Sequence, residues 1–469
     1  MRICFLARPN YDRLSAALFN KLKPMLGDDF SAGFITCNDD ETAFIKNKTG
    51  SDTVYQSDVF LKEHWTEFCM EKLCEYEKKY DCAPMWKYIY TDRFLIFHDY
   101  DYAVRIACGM FMFCESIFSG GEYDYYYDEP LATLMSYVAY IVGKYYGVKY
   151  VCQMAGRTHG MTHHYLVTDP FQHNHFLYNG ADVEYGEEEL SKAEEFLKDF
   201  ESKSIVKENA VFKTRKPRFE PVYVKLALLY HFNKKYKNKY DYINYRLDKQ
   251  MWDRAKFYFR YRKMIRLCEN TDYSEKFVYF PLHYQPEAST IVCAQMYEKQ
   301  LFYIDSLAKS LPADTVLYVK EHYVLLGHKK LDFYRALSAY PNVRLISPWE
   351  DGKKLIQKAE AVVSLAGTPA WEAMLLGKPA FLSGKMYFDS APGIINADVI
   401  YQNYLPLLKQ WRKPERTDII RYLCAYFRTL EKGHIYAAIS SCYTDENITN
   451  LANSLLSEIS RLEKEEKTI

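Results

Sequence analysis

The most chemically suggestive run in the 469-residue chain extends from Ser364 to Pro379. Its small residues, Ser364 to Gly367, suit a tight turn at the end of a strand. Thr368 is then placed to cap a helix that has Pro369 at its first position. Free backbone N–H groups at such a helix start attract an anion, for example a diphosphate or phosphodiester. Glu372 falls about one turn into the helix, within reach of ribose hydroxyls. Gly377 closes the helix, and Lys378 and Pro379 begin the next strand. The same residues also read as a plain strand-helix-strand unit in which Glu372 offsets the helix dipole. A second group is Asp128 and Glu129, placed where a tyrosine-rich strand ends. Arg157, His159, His163 and His164 follow the next strand end, and no spacing among them argues for a metal site.

These residues need elements to position them. Arg2 to Ala7 reads as a short buried strand and Asp12 to Leu26 as the helix that follows, the way many open parallel sheets begin. Between there and about residue 100 the sequence predicts one helix, Glu63 to Tyr80. Tyr123 to Asp128 is read as a strand, Leu131 to Tyr146 as a helix with Pro130 in its first turn, and Val148 to Ala155 as a strand. Asp128 and Glu129 then sit at the carboxyl end of a strand, the edge where open α/β sheets bind ligands; they also suit a helix start, where negative charge is favoured. The second half alternates strictly. Strands are expected at 277–282, 315–320, 343–347, 361–365 and 379–383, and helices at 295–311, 330–339, 351–359 and 369–376. That alternation calls for a parallel sheet covered by helices on both faces. Helices are also expected at 417–430 and 446–465. The organisation is α/β with two Rossmann-like domains: an amino-terminal domain at 1–204, a basic-aromatic helical linker at 205–271, a second domain at 272–403, and carboxyl-terminal helices at 404–469.

Bulk properties exclude several classes. Lys plus Arg and Asp plus Glu both number 61, so overall charge gives no argument for a nucleic-acid partner. The 12 Cys include no Cys-x-x-Cys pair, which points to reduced cytosolic thiols. The apolar stretch at the start is too short for a secretory signal, and the runs 107–113 and 131–143 are too short to span a membrane. A cytoplasmic location follows, with any membrane contact peripheral. The basic residues of 212–266 are threaded with Tyr and Phe, which suits an anionic lipid or a phosphate-bearing acceptor as well as a solvated helical surface.

The run from Ser364 to Pro379 resembles the donor-binding half of GT-B glycosyltransferases. More narrowly it is similar to the capsule polysaccharide biosynthesis family, which includes bacterial Kdo transferases. Two further motifs carry that resemblance. His283-Tyr-Gln285-Pro286-Glu287-Ala-Ser289-Thr290 is similar to the family's Gln-Pro motif. Lys320-Glu321-His322 is similar to its Lys-x-His-Pro motif, with Tyr323 here in place of the proline. All three motifs fall at expected carboxyl ends of strands, so they converge on one cleft.

The resemblance implies a GT-B-like fold whose second domain binds a nucleotide-sugar through His283, Gln285, Glu287, Ser289, Lys320, Ser364, Gly367, Thr368 and Glu372. Ser289 and Thr290 also suit capping of the next helix. It further implies that His322 contacts the donor phosphate and acts toward the leaving nucleotide, that no metal or other cofactor is essential, and that the partner carboxylate comes from the first domain. Glu129 is the first choice for that carboxylate, Asp128 the second and Glu122 the third, with Arg157 on the acceptor side. The expected activity is sugar transfer from a CMP-activated donor, Kdo or a related nonulosonic acid, with UDP- or GDP-sugars next. The acceptor would be a surface polysaccharide or glycolipid, with peripheral contact at the inner face of the cell membrane and no nucleic acid. A sugar-nucleotide epimerase or hydrolase, or a non-catalytic capsule assembly or export factor, would use the same features differently.

Overall fold

The computed structural model of the chain describes residues 1–9, 11–156, 164–173, 183–202, 216–283, 285, 290, 292–297, 299–397, 403–435 and 440–466. Two sheets organise them. The first is built from β1 (Arg2–Leu6), β2 (Ser31–Thr36), β3 (Val54–Gln56), β4 (Tyr125–Asp128), β5 (Lys149–Ala155), β6 (His164–Thr168) and β13 (Leu430–Lys432). Its order is β13-β6-β5-β4-β1-β2-β3. All neighbours are parallel except β6, which is antiparallel to both β5 and β13. The second sheet holds β7 (Phe277–Pro281), β8 (Val316–Lys320), β9 (Val343–Ile346), β10 (Ala361–Ser364), β11 (Ala380–Leu382) and β12 (Ile394–Asn396). It is parallel throughout, in the order β12-β11-β10-β7-β8-β9.

The central strands explain this arrangement. Ile3 to Ala7 and Phe277 to Leu282 are buried without alternation, as parallel strands covered on both faces must be. The helices around the first sheet are α1 (Asp12–Leu26), α2 (Asp39–Thr49), α3 (Ser57–Glu63), α4 (Met70–Tyr80), α5 (Trp86–Thr91), α6 (Tyr100–Phe118) and α7 (Leu134–Tyr145). The helix expected at 63–80 is broken: Cys69 is extended and starts α4, with residues 64–69 outside any α-helix. Pro130 also lies outside a helix. Thr133 is the N-cap of α7, its hydroxyl accepting from Ser136 N–H, so Pro130 stays in the turn after β4.

The chain then crosses between the sheets several times. The helix α8 (Glu187–Ser202), which falls inside the expected first domain, buries Ala193, Leu197 and Phe200 in the core of the second sheet. The basic segment forms α9 (Pro221–Phe232), α10 (Leu247–Ala255) and α11 (Phe257–Met264). Its Tyr242 lies in the first core, whereas Tyr261 and Met264 lie in the second. Around the second sheet run α12 (Gln300–Ser310), α13 (Leu331–Leu337), α14 (Gly352–Lys358), α15 (Thr368–Leu375), α16 (Tyr404–Gln410) and α17 (Arg416–Arg428). The helix expected at 295–311 begins as a separate short turn, Gln295–Tyr297, before α12. The tail returns to the first sheet: β13 extends it, and α18 (Asp445–Glu466) buries Leu451, Ala452, Leu455 and Ile459 against it. Among the described residues no helix is long and apolar enough to cross a membrane.

A buried knot pins the linker to the first sheet. Asn38 caps α2 and also donates to Glu41 Oε1 at 3.0 Å and to Asp241 Oδ2 at 3.2 Å. Burial raises the Glu41 carboxyl to about 8, with Asp241 adding to the effect, and burial raises Asp241 to about 6. A carboxyl raised in this way binds more protons folded than unfolded, so its contribution to stability is lost as pH climbs through the window. For Glu41 that window runs from its ordinary value to about 8. Melting temperatures measured at pH 5 and pH 8 should fall less for Glu41→Gln than for the parent. Equal falls would contradict the assignment.

Candidate functional site

At the carboxyl edge of the second sheet the Ser364 turn and the His283 loop lock together. Ala366 N–H donates to His283 Nε2 at 3.2 Å, and Ser364 Oγ lies 3.1 Å from the same nitrogen. Gly367 N–H donates to Ser364 Oγ at 3.1 Å. A Cβ at Gly367 would lie 2.8 Å from His283 Nε2 and 3.0 Å from Ser364 Oγ, which is why the position holds glycine. Because Nε2 accepts, the ring hydrogen sits on Nδ1. That buried atom has no hydrogen-bond partner among the described residues. Burial lowers the His283 pKa to about 3, helped by the neighbouring His322 and Lys329, so the ring is neutral.

Gly367, rather than Thr368, is the N-cap of α15, and no side chain caps this helix. Thr368 and Pro369 form its first turn. The amides of Ala366 and Gly367, in the turn before the helix, are engaged by His283 and Ser364. The anion-attracting features left at this turn are the Thr368 amide, the helix dipole and the Nδ1–H of His283. Gln300 ties the neighbouring loop down: its Oε1 accepts from His283 N–H at 2.8 Å, and its amide donates to Gln285 Oε1 at 2.6 Å. Thr290 is fully buried. Glu287 and Ser289 lie outside the described residues.

Lys320 ends β8, with Pro281 of β7 and Ile346 of β9 beside it in register. Burial lowers its pKa, against the pull of Glu372, Asp351 and Glu350. Burial raises the Glu372 carboxyl to about 7, with Lys320 opposing. Each of the two groups thus offsets the desolvation of the other's charge. His322 accepts the Val324 amide hydrogen on Nδ1 at 3.3 Å, which leaves Nε2 as the donor-bearing nitrogen. The residue before it, Glu321, was not foreseen as part of the site. It is fully buried and receives Lys329 Nζ at 3.0 Å, the Tyr334 hydroxyl at 2.6 Å and the His322 amide at 2.8 Å. It therefore fixes the backbone that carries His322.

The first sheet presents its own carboxyl edge. Glu129 follows β4; its Oε1 pairs with Arg8, and its Oε2 accepts from the Tyr11 hydroxyl at 2.7 Å. Arg8, two residues beyond β1, is buried, stacks 4.5 Å from the Tyr11 ring centroid and leaves Nε without a partner among the described residues. Its place directly after the first strand was the only sequence sign of it. Asp128 is buried more deeply, and burial raises its carboxyl to about 6, with Arg8 and the hydroxyls of Ser136, Tyr150 and Tyr126 opposing. Glu122 does not belong here. It precedes β4, is exposed, and meets Tyr55 at 3.4 Å on the amino-terminal side of that strand. Arg157, His159 and His163 lie outside the described residues, as does the His164 side chain.

The two edges meet. A small cavity lined by Tyr88, Leu131, Ala132, Thr133, Tyr137 and Val292 sits where the turn after β4 touches the segment after β7. Cys293 Sγ also approaches the Phe171 carbonyl at 4.0 Å. Among the described residues, no group of three or more His, Cys, Asp and Glu side chains is arranged to hold a metal ion.

Two Rossmann-like units joined in this way make a GT-B-like architecture. No protein-family model and no curated protein matches the sequence. Among solved structures the chain is similar to the beta Kdo 2,4 transferase of Thermosulfurimonas dismutans KpsC, at 13% identity over 70% of this chain and 86% of that one, with a TM-score of 0.36. It is also similar to the beta Kdo 2,7 transferase of the same protein, at 12% identity over 73% and 89%, with a TM-score of 0.33. A third similarity is to the UDP-GlcNAc 2-epimerase of Methanocaldococcus jannaschii in complex with UDP-GlcNAc and UDP, at 11% identity over 91% and 99%, with a TM-score of 0.27. The strand order and site geometry described above stand independently of these similarities.

Glu321→Ala should reduce unfolding free energy by about 3 kcal/mol, because Lys329 loses its buried partner. Glu321→Ala combined with Lys329→Met should recover part of that loss. Urea denaturation of the three proteins tests this, and strictly additive effects would show that the pair is not coupled.

Proposed function

We propose that the protein transfers a sugar from a nucleotide-activated donor, seated on the second sheet, to a glycan or glycolipid acceptor over the first. The observation that carries this reading is the buried, neutral His283, whose Nδ1–H has no partner among the described residues, at the edge where Thr368, Lys320 and Glu372 also gather. A buried donor left unpaired by the protein's own groups is a position for a ligand acceptor. The phosphate would take the Thr368 amide and His283, with Lys320 supplying positive charge nearby. Glu372, with its carboxyl near neutrality, would hold the ribose hydroxyls.

In the proposed reaction the acceptor hydroxyl attacks the anomeric carbon while a first-sheet carboxylate takes its proton. Glu129 is better placed for this than Asp128, because Asp128 is buried among Tyr126, Tyr150 and Ser136. Arg8 and Tyr11 hold Glu129 in one orientation, and the carboxylate keeps lone pairs for a hydroxyl proton. The Nε2–H of His322 would meet the phosphate oxygens as negative charge develops on the departing nucleotide. Resemblance in the three motifs favours a CMP-activated donor, Kdo or a related nonulosonic acid, with UDP- and GDP-sugars next. A glycolipid acceptor would place the enzyme at the inner face of the cell membrane.

A thermal-shift comparison of CMP, CDP, UDP and GDP identifies the nucleotide, since a ligand of the native state raises its apparent stability. Glu372→Ala should weaken that nucleotide by about tenfold, the effect of losing roughly 1.4 kcal/mol of hydrogen bonding to ribose. Glu129→Gln should keep nucleotide binding and lose transfer by at least about a hundredfold. Donor turnover without any acceptor would instead indicate an epimerase or hydrolase, and absence of all nucleotide binding would reject the enzyme reading.

A further inference from the structure

The helix α9 is apolar around its whole circumference, with Val222, Val224, Leu226, Ala227, Leu228, Leu229 and Phe232, yet only Ala227 among its residues is buried. A helix apolar on every side belongs in a core or in lipid. Here Leu229 is 55% exposed and Phe232 76% exposed, and Trp252 of α10 and Phe259 of α11 are exposed as well. Phe259 packs against the exposed Phe219 at 5.5 Å between ring centroids.

The charges around this apolar surface are mostly positive. Residues 216–266 contain fifteen Lys and Arg but four Asp and Glu. Three of those acids already have partners within the protein. Asp241 is buried on Asn38 and Asn244, Asp248 is held by Arg246 at 3.0 Å and faces His231 at 2.9 Å, and Asp253 is held by Arg260 at 2.5 Å. Lys225, Lys234, Lys237, Lys249, Arg254 and Lys256 form no ion pair among the described residues and surround the apolar positions in sequence. Beneath the end of α9 lies a cavity of about 290 Å³ lined by Tyr230, His231, Tyr236, Lys237, Tyr245, Arg246 and Asp248. Arg246 is paired with Asp248 there, and Lys237, with no ion pair among the described residues, stands beside the aromatic rings as the cation for a phosphate headgroup joined to an apolar chain.

We propose that the α9–α10 hairpin docks on an anionic phospholipid surface, with Leu229 and Phe232 in the acyl boundary and a lipid phosphate at the Lys237–Arg246 cavity. A 12-residue helix is about 18 Å long, too short to span the hydrocarbon core but long enough to lie in the interface. This docking does not depend on the transfer reaction above, and the two fail separately.

Flotation of the full chain with POPC vesicles, with and without the anionic lipid POPG, tests the proposal. The parent should float with POPG-containing vesicles, should stay behind with POPC alone, and should be released by high salt. Leu229→Ser with Phe232→Ser, and separately Lys234→Glu with Lys237→Glu, should each lower partitioning by about tenfold while nucleotide-induced thermal shifts are unchanged. The charge pair lies on exposed residues, so it reads out binding even if the serine pair fails to fold. A parent that ignores both vesicle types, or charge variants that float like the parent, would overturn the proposal. So would a parent dimer that the serine pair converts to monomer, since a second copy would then cover the face.

Discussion

A parallel strand can be reached only by carrying the chain back along the sheet, and every such return leaves the loops that follow the strands at one edge. That constraint governs this molecule. In the second sheet it brings the ends of β7, β8 and β10 together although they lie some 40 residues apart in sequence, so His283, Lys320 and Ser364 share one edge. In the first it gathers Arg8 after β1, Asn38 after β2 and Glu129 after β4. The chain crosses between the sheets through α8, the α9–α11 segment and the passage from α17 to β13, which holds the two edges against each other.

Low dielectric at these edges sets the chemistry. Burial keeps His283 neutral, so it can donate one hydrogen bond without bringing a fixed charge. Burial also pulls Lys320 and Glu372 toward neutrality from opposite directions. On the first sheet Arg8 and Glu129 instead face each other as an ion pair in a partly buried place. Breaking such a pair leaves an uncompensated charge, which ties the geometry of Glu129 to that of Arg8.

The second half was legible because its strands are short apolar runs separated by helical periods, and each carries its chemistry at the strand end. The details that went astray depend on contacts that periodicity does not carry. Thr368 looks like a cap, but the tight packing of Gly367 on His283 shifts the helix start by one residue. The helix α6 is buried on nearly all sides, so it lacked the amphipathic pattern that would have marked its full length. The three-residue strand β13 has no signal of its own and exists because α18 brings the tail back to β6. Arg8 and Glu321 were missed for a related reason: a buried charge is informative only once its partner is known, and those partners are Glu129 on one side and Lys329 with Tyr334 on the other. Glu122 was misplaced because a strand has two ends and the local sequence around β4 is acidic at both.

The central claim is that a nucleotide-sugar binds at the His283 edge of the second sheet and not at the Arg8 edge of the first. A crystal structure with the nucleotide selected by thermal shift tests it most directly. The account predicts a phosphate oxygen within hydrogen-bond distance of His283 Nδ1 and the Thr368 amide, with the ribose against Glu372. Nucleotide density beside Arg8 and Glu129, with the His283 edge empty, would contradict it.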